Sequence, residues 1–225
     1  MTVFDWHEAT KKQWNQSASF WNARSKNMWE HGSRKGIIPF ITAHADAAKP
    51  ALDIGCGDGY GTHKLAKAGF DVVGVDLSSE MISLANSHTH DSNIRFVEAD
   101  ARNLPFENGE FACIMAINVL EWTENPKKVL AEWLRVLQKD GLLFVGLLGP
   151  TAGPRANSYP RLHGKPALCN TMMPWEFQQL AGEMGLTLVD EFGVYKKEVK
   201  KEQHQSLPIQ LKQALSFMWV FCLRK

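Results

Sequence analysis

From residue 51 onward, short apolar runs alternate with stretches whose apolar residues recur every three to four positions. Residues 51–54, 71–75, 94–98, 111–116 and 142–148 have strand character. Several are apolar throughout, as strands covered on both faces must be. Residues 61–68, 79–87 and 127–138 read as helices between them. In the last of these, Val129, Trp133 and Leu137 form a stripe flanked by Leu130 and Leu134, with Lys127, Lys128, Glu132, Arg135 and Lys139 mostly outside it. Such a helix covers one face of a sheet. Strict β-α alternation predicts a parallel sheet with right-handed crossovers, that is, a doubly wound α/β fold.

The two ends of the chain depart from that texture. In residues 1–50, Trp6, Trp14, Phe20, Trp21 and Trp29 are spaced at roughly helical intervals in polar sequence, predicting one or two amphipathic helices that form a cap or lid. Trp14 and Trp21 are read here as helix-packing residues, not pocket walls. A further helix is expected over residues 35–47, ending near Lys49 and Pro50, because the residue before proline is pushed out of helical geometry. After Gly149 comes PTAGPRANSYPRLHGKPALCNTMMP, a proline- and glycine-rich segment of a length that is usually functional or mobile. Pro174 then fits the first turn of a helix to about Met184, followed by a strand over 186–194, a charged connector, a short helix over 208–214 and an aromatic strand over 216–223. Residues 51–225 are thus expected to form a single core, with 149–174 as an insertion in it.

Composition narrows the class. With 225 residues, 44% hydrophobic and 22% charged, the chain can bury one large core, which excludes disordered, collagen-like and coiled-coil architectures. Twenty-five basic side chains against 24 acidic ones leave a net charge of +1, so there is no global pull towards nucleic acid or anionic lipid, although a local basic patch stays open. Cys56, Cys113, Cys169 and Cys222 are scattered, with no C-x-x-C spacing and no nearby His pair, so no metal site is expected. Reduced thiols, a polar N-terminus and the lack of an apolar run of about 18 residues predict a soluble cytoplasmic protein with no membrane span.

The chemistry concentrates in LDIGCGDGYGTHKLA, starting at Leu52: a strand, glycines at 55, 57, 59 and 61, then a helix. Glycines permit a sharp turn and close ligand approach, and the helix start presents free N–H groups. The dinucleotide fingerprint G-x-G-x-x-G fails, because Tyr60 or Thr62 stands at the third glycine, and no G-x-x-x-x-G-K-[ST] occurs. Asp53 and Asp58 would repel a pyrophosphate there and attract an ammonium or sulfonium. Asp76 ends the second strand about twenty residues on, where a carboxylate accepts ribose hydroxyls. Adenosine with a cationic tail satisfies both features.

With those residues in place, the chain resembles the class I S-adenosylmethionine-dependent methyltransferases, of the small-molecule type that includes the ubiquinone and menaquinone biosynthesis methyltransferases. The resemblance is carried by LDIGCGDG at Leu52, VGVDLSSEMI at Val73, FVEADARNLPFENGEFACIMAINVLEW at Phe96 and LAEWLRVLQKDGLLFVG at Leu130, in order over about residues 51–149. It implies a mostly parallel Rossmann-like sheet of seven strands with the last antiparallel. It also implies that Gly55, Cys56, Gly57 and Gly59 pass under the methionine part of S-adenosyl-L-methionine, with Asp53 near its ammonium. Asp76 would hold the ribose, Leu77 and Met81 would flank the adenine, and Asp100 and the Ala101 N–H would bond its edge. Ala116, Ile117 and Asn118 would lie beside the transferring methyl. By helical spacing alone Met81 is a core residue, so its role rests on the resemblance; Cys56 is read as packing without reacting.

Methyl transfer is an in-line displacement. Positioning supplies roughly 7–11 kcal/mol of such a barrier and a general base roughly 3–5 kcal/mol, so a dedicated base is optional and no catalytic residue is assigned. Acceptor contacts are sought in the 149–174 segment, where this family commonly places substrate-binding insertions, at Tyr159, Arg161 and His163, and after the fourth strand at Glu121, although His163 by itself reads as a solvated loop residue. The expected function is methyl transfer to a small-molecule acceptor, by a monomer or homodimer. The rivals are an RNA or protein methyltransferase, disfavoured for nucleic acid by neutral charge and by AINVLEW where amino-methylating members carry [DNS]-P-P-[YFW]; a non-catalytic S-adenosylmethionine-binding module; and an NAD-dependent dehydrogenase.

Overall fold

A computed structural model of the chain describes residues 4–89 and 93–225; residues 1–3 of the expected cap lie outside them. The elements follow in order as α1 (Trp6–Glu30), α2 (Ile37–Thr42), β1 (Ala51–Ile54), α3 (Tyr60–Lys67), β2 (Val72–Asp76), α4 (Ser79–Ser87), β3 (Ile94–Glu98), β4 (Phe111–Ile117), α5 (Pro126–Val136), β5 (Leu137–Leu148), α6 (Pro174–Glu183), β6 (Thr187–Tyr195), α7 (Lys201–His204), α8 (Ile209–Leu215) and β7 (Ser216–Arg224). Strand order is β3-β2-β1-β4-β5-β7-β6. β1 runs parallel to β2 and β4, β2 to β3 and β4 to β5, while β7 is antiparallel to both β5 and β6. The seven-stranded, mostly parallel sheet with its last strand reversed is therefore present. The chain switches direction across the sheet between β1 and β4, the place where open α/β folds leave a crevice.

Strand periodicity sorts the core into two layers. Ile114 and Ala116 of β4, Leu143 and Val145 of β5, and Trp219 and Phe221 of β7 join α5 and α6 through Trp133, Val129 and Phe177. The alternate residues Cys113 and Met115, Phe144, Val220 and Cys222 face Leu65 of α3 and Ile37, Ile38 and Ile41 of α2. Helix starts follow local chemistry: Asp5 accepts from Glu8 N–H, Ser78 from Met81 N–H, and Asn125 from Lys128 N–H ahead of Pro126.

The structure settles the periodic reading at the N-terminus and shifts it elsewhere. The N-terminal aromatics belong to one 25-residue helix. α2 stops at Thr42, short of residue 47, as His44 turns away to bond Phe40 O through Nδ1 and reaches Asp190 at 3.1 Å through Nε2. β5 begins at Leu137, because this fully buried side chain is extended and pairs with Phe111, ending the helix at Val136. The segment expected as a loop contains a 3-10 helix over Gly153–His163. It is pinned by the buried Arg155, whose Nη2 donates to Leu148 O and Met172 O.

Candidate active site

β1 delivers the chain to the crest of the sheet, where the glycine turn folds back against β2. Gly55 and Cys56 N–H donate to Val75 O at 2.8 and 3.0 Å. Gly57 N–H donates to Asp76 Oδ2 and Ser78 N–H to Asp76 Oδ1, each at 2.9 Å. Gly57 has φ +57°, and a Cβ built there would meet nothing closer than Met81 Sδ at 3.9 Å. Packing therefore does not require that glycine; the turn does, and the space beside it is open to a ligand.

Three carboxylates gather near this turn. Burial raises the Asp76 carboxyl above its usual range, and the N–H groups of Ser78, Gly57 and Leu77 oppose that. Asp58 is also raised by burial and accepts from Ser25 Oγ at 2.7 Å. Asp53 lies one layer below, 3% exposed, accepting from Thr62 Oγ1 at 2.7 Å. Burial pushes it up to about 7 from 3.8, against the Thr62 bond and the field of Arg34. A carboxyl raised in this way keeps a proton on folding that the unfolded chain has released, so its contribution to stability is complete below about pH 4 and is lost as pH rises through about 7. Asp53→Asn is accordingly expected to flatten the fall in the thermal midpoint of the ligand-free protein between about pH 4 and 7. A variant with the wild-type slope in scanning calorimetry would show that Asp53 ionises freely.

α1 lies across the crest and is tied down along its length. Trp6 Nε1–H donates to Trp122 O at 2.8 Å, His7 Nδ1 is 3.2 Å from Asp100, Lys11 pairs with Glu98 at 2.6 Å, and Ser78 Oγ donates to Asn15 Oδ1 at 2.6 Å. Between helix and crest is a cavity of about 200 Å³. Gly55, Cys56 and Gly57 form its floor, Asp76, Leu77 and Met81 border it from β2 and α4, Asp100 and Ala101 from beyond β3, and Ile117 and Asn118 from β4. Asn118 takes φ +58°, a left-handed position that asparagine tolerates, as the chain turns off the sheet with its N–H on Gly146 O. Cys56 is 8% exposed and burial raises its thiol well above the usual range, so it packs as an inert side chain.

Other expected contacts stand apart from the cavity. Asp53 and Gly59 support the turn from behind, and Ala116 is fully buried in the core. Glu121 is wholly buried behind the wall, its Oε1 accepting from Leu148 N–H, so this polar residue holds the ends of β4 and β5 together and does not face the cavity. Tyr159, Arg161 and His163 lie exposed on the 3-10 helix and bond locally: Tyr159 and His163 rings meet at 5.3 Å and Arg161 donates to Ser158 O. Pro154 is the part of that segment that borders the cavity. Trp14 and Trp21, read as packing residues, border the cavity on the face of α1 that meets the crest, and Trp14 also packs, as read, against the hydrophobic cluster of Trp122, Leu148, Ala152 and Cys169.

Sequence reasoning missed Arg34. It borders the cavity beside the field of Asp53 and Asp58, and its guanidinium makes no side-chain hydrogen bond among the described residues. Nothing in the local pattern distinguishes it from Lys35, since only the turn after α1 brings it inward. Carboxylates and an unpaired guanidinium around one glycine turn match a zwitterionic amino-acid group, which places ammonium and carboxylate side by side. Among the described residues no three His, Cys, Asp or Glu side chains group as metal ligands, and no helix is long and apolar enough to cross a membrane.

The sheet order, the glycine turn and the acid closing β2 define a nucleoside-cofactor-binding α/β domain. Residues 52–145 match the family model for a methyltransferase domain. The chain is 35% identical over 116 residues to a ubiquinone biosynthesis O-methyltransferase of Methylococcus capsulatus, covering 49% of this chain and 48% of that one. It is 35% identical over 122 residues to a demethylmenaquinone methyltransferase of Renibacterium salmoninarum, covering 53% and 51%. The matches thus span about half the length of these curated relatives. In structure it is similar to an S-adenosylmethionine-dependent methyltransferase from Mesorhizobium loti, with TM-score 0.64, 16% identity, and coverage of 83% and 96%.

Proposed function

We propose that the protein transfers a methyl group from S-adenosylmethionine to a small-molecule acceptor. The observation that carries this reading is the open space beside Gly57, bordered by Asp76 on one side and Arg34 on the other. When bound, the cofactor supplies an electrophilic methyl group on a sulfonium. Asp76, with both oxygens already fixed by backbone N–H groups, has its remaining lone pairs available for ribose hydroxyls, and Asp100 and Ala101 border the space beyond β3 for the adenine edge. Asp58 and Arg34 receive the amino-acid end, with Asp53 below. Ile117 and Asn118, at the end of β4, shape the region of transfer. α1 excludes water from above, and the rate is ascribed to positioning, not to a protein base.

Calorimetry with S-adenosylmethionine, S-adenosylhomocysteine and NAD tests the cofactor, and transfer of label from S-adenosylmethionine into cell extract tests the activity. NAD binding without a response to the sulfur ligands would remove this reading. Arg34→Gln is expected to weaken S-adenosylhomocysteine by about tenfold or more, the scale of a lost hydrogen bond to a charged group. It should leave 5′-methylthioadenosine, which lacks the amino-acid end, unaffected. Equal weakening of both ligands would assign Arg34 to the cavity's shape instead.

A further inference from the structure

Asn118 borders the cavity where the chain leaves β4, and its surroundings allow its side-chain amide one orientation. Nδ2 donates to Glu121 Oε1 at 3.4 Å and to Gly146 O at 3.5 Å. Both neighbours are acceptors, so a flipped amide would set its oxygen against two others. Asn118 Oδ1 is thereby turned away from β5 and from Glu121, towards the cavity, and it makes no hydrogen bond among the described residues. Glu121 is wholly buried, and its Oε1 also accepts from Leu148 N–H. The carboxyl cannot swing away without breaking the bond that ties the end of β5 to the segment after β4, so the group that orients the amide is itself held in place.

This bare oxygen stands at a particular point along the cavity. β1 lies between β2 and β4, so Asp76 borders the glycine turn from one side and Asn118 from the other. The chain after Asn118 closes directly on the turn, since a Cβ built on Gly55 would meet Val119 Cγ2 at 2.5 Å. An S-adenosyl ligand with its amino-acid end at Arg34 and Asp58 and its ribose at Asp76 would carry its sulfur between them, on the stretch of the turn that Asn118 borders. We propose that Asn118 distinguishes the loaded cofactor from the spent one: Oδ1 accepts a C–H···O contact from the methyl group on the sulfonium, and Glu121 is the positioning residue that keeps the oxygen, and not the nitrogen, facing it. The proposal rests on the reading that this cavity holds S-adenosylmethionine. A methyl group on a sulfonium is polarised, and a carbonyl oxygen with no other donor attracts it through charge as well as through contact. In the transfer the acceptor's lone pair forms the bond to the methyl carbon, and the carbon–sulfur pair stays with sulfur, which becomes a neutral thioether. Oδ1 then faces sulfur lone pairs with no hydrogen between them. The attraction is lost at that moment, which favours release of the product.

Calorimetry on the full chain with S-adenosylmethionine, S-adenosylhomocysteine and sinefungin, in which an ammonium-bearing carbon replaces the methylated sulfur, tests this assignment. Asn118→Gly accepts the left-handed φ of +58° without strain and removes the amide. It is expected to weaken sinefungin about tenfold or more and S-adenosylmethionine about three- to fivefold, while S-adenosylhomocysteine stays within about twofold. Glu121→Gln, whose amide oxygen can take the same two donors, is expected to keep the wild-type ratios among the three ligands. Glu121→Met takes neither donor and is expected to reproduce the glycine pattern; should it not fold, the glycine and glutamine variants decide. Wild-type ratios in Asn118→Gly, or equal weakening of all three ligands, overturn the proposal, and wild-type ratios in a folded Glu121→Met overturn the positioning role. Failure of the wild type to bind any of the three ligands would instead count against the cofactor reading.

Discussion

Asp76→Ala is expected to weaken S-adenosylhomocysteine binding by about 10- to 100-fold, the scale of hydrogen bonds to a charged group in a partly buried site. The carboxylate has two tasks. Its lone pairs face the cavity, and its two oxygens also hold Gly57 N–H and Ser78 N–H, so that one side chain fixes the glycine turn and the start of α4 together. Asp76→Asn separates the tasks: its amide oxygen still accepts one backbone bond, while the charge and the second acceptor are lost. Calorimetry should therefore rank wild type above Asn and Asn above Ala. An unchanged isotherm for the alanine variant would refute any ribose contact at this position.

The largest loss of stability is expected from Gly149→Ala. A Cβ at this position would lie 1.9 Å from Ser216 O and 2.7 Å from Ser216 C, both main-chain atoms, and Gly149 N–H is bonded to Phe217 O at 2.8 Å. No side chain can rotate to relieve the clash, so β7 must move away from β5 at the point where Leu148 and Phe217 border the cavity. Overpacking costs up to about 3 kcal/mol, which for a domain of this size lowers the thermal midpoint by about 6–12 °C. Ligand affinity should fall as well, since the displaced strand carries part of the wall. A midpoint within about 2 °C of wild type would show that the β5–β7 junction is slacker than its geometry indicates.

How much of this was legible along the chain depends on the range of the interactions involved. The strands 51–54 and 94–98 and the helix over 79–87 appear with the bounds that periodicity assigns, because each is written in the pattern of consecutive residues: β1 is buried throughout, while β3 is a short, half-exposed edge strand. The glycine turn and Asp76 were readable for the same reason: a backbone that must turn sharply, ending at an acid on the neighbouring parallel strand, is a local motif with a fixed spacing. Trp14 and Trp21 were legible as one face of a helix, but helical spacing does not say whether that face meets a core or a cavity. Arg34 had no local signal at all. Glu121 was recognised as a polar residue near the end of β4, and its burial depends on Leu148, 27 residues away, supplying the N–H it accepts.

The sequence by itself determined the doubly wound sheet, the glycine turn and the acid at the end of β2, because each follows from backbone periodicity or from steric demands within a few residues. Only the tertiary structure decided which groups surround the ligand space. It set Asp53 beneath the turn, brought Arg34 in, laid the tryptophans of α1 over the crest and left Tyr159, Arg161 and His163 outside. Those outcomes are set by where α1 and the segment after β5 dock on the sheet, and docking sums many weak contacts between residues far apart in the chain, which no local pattern encodes.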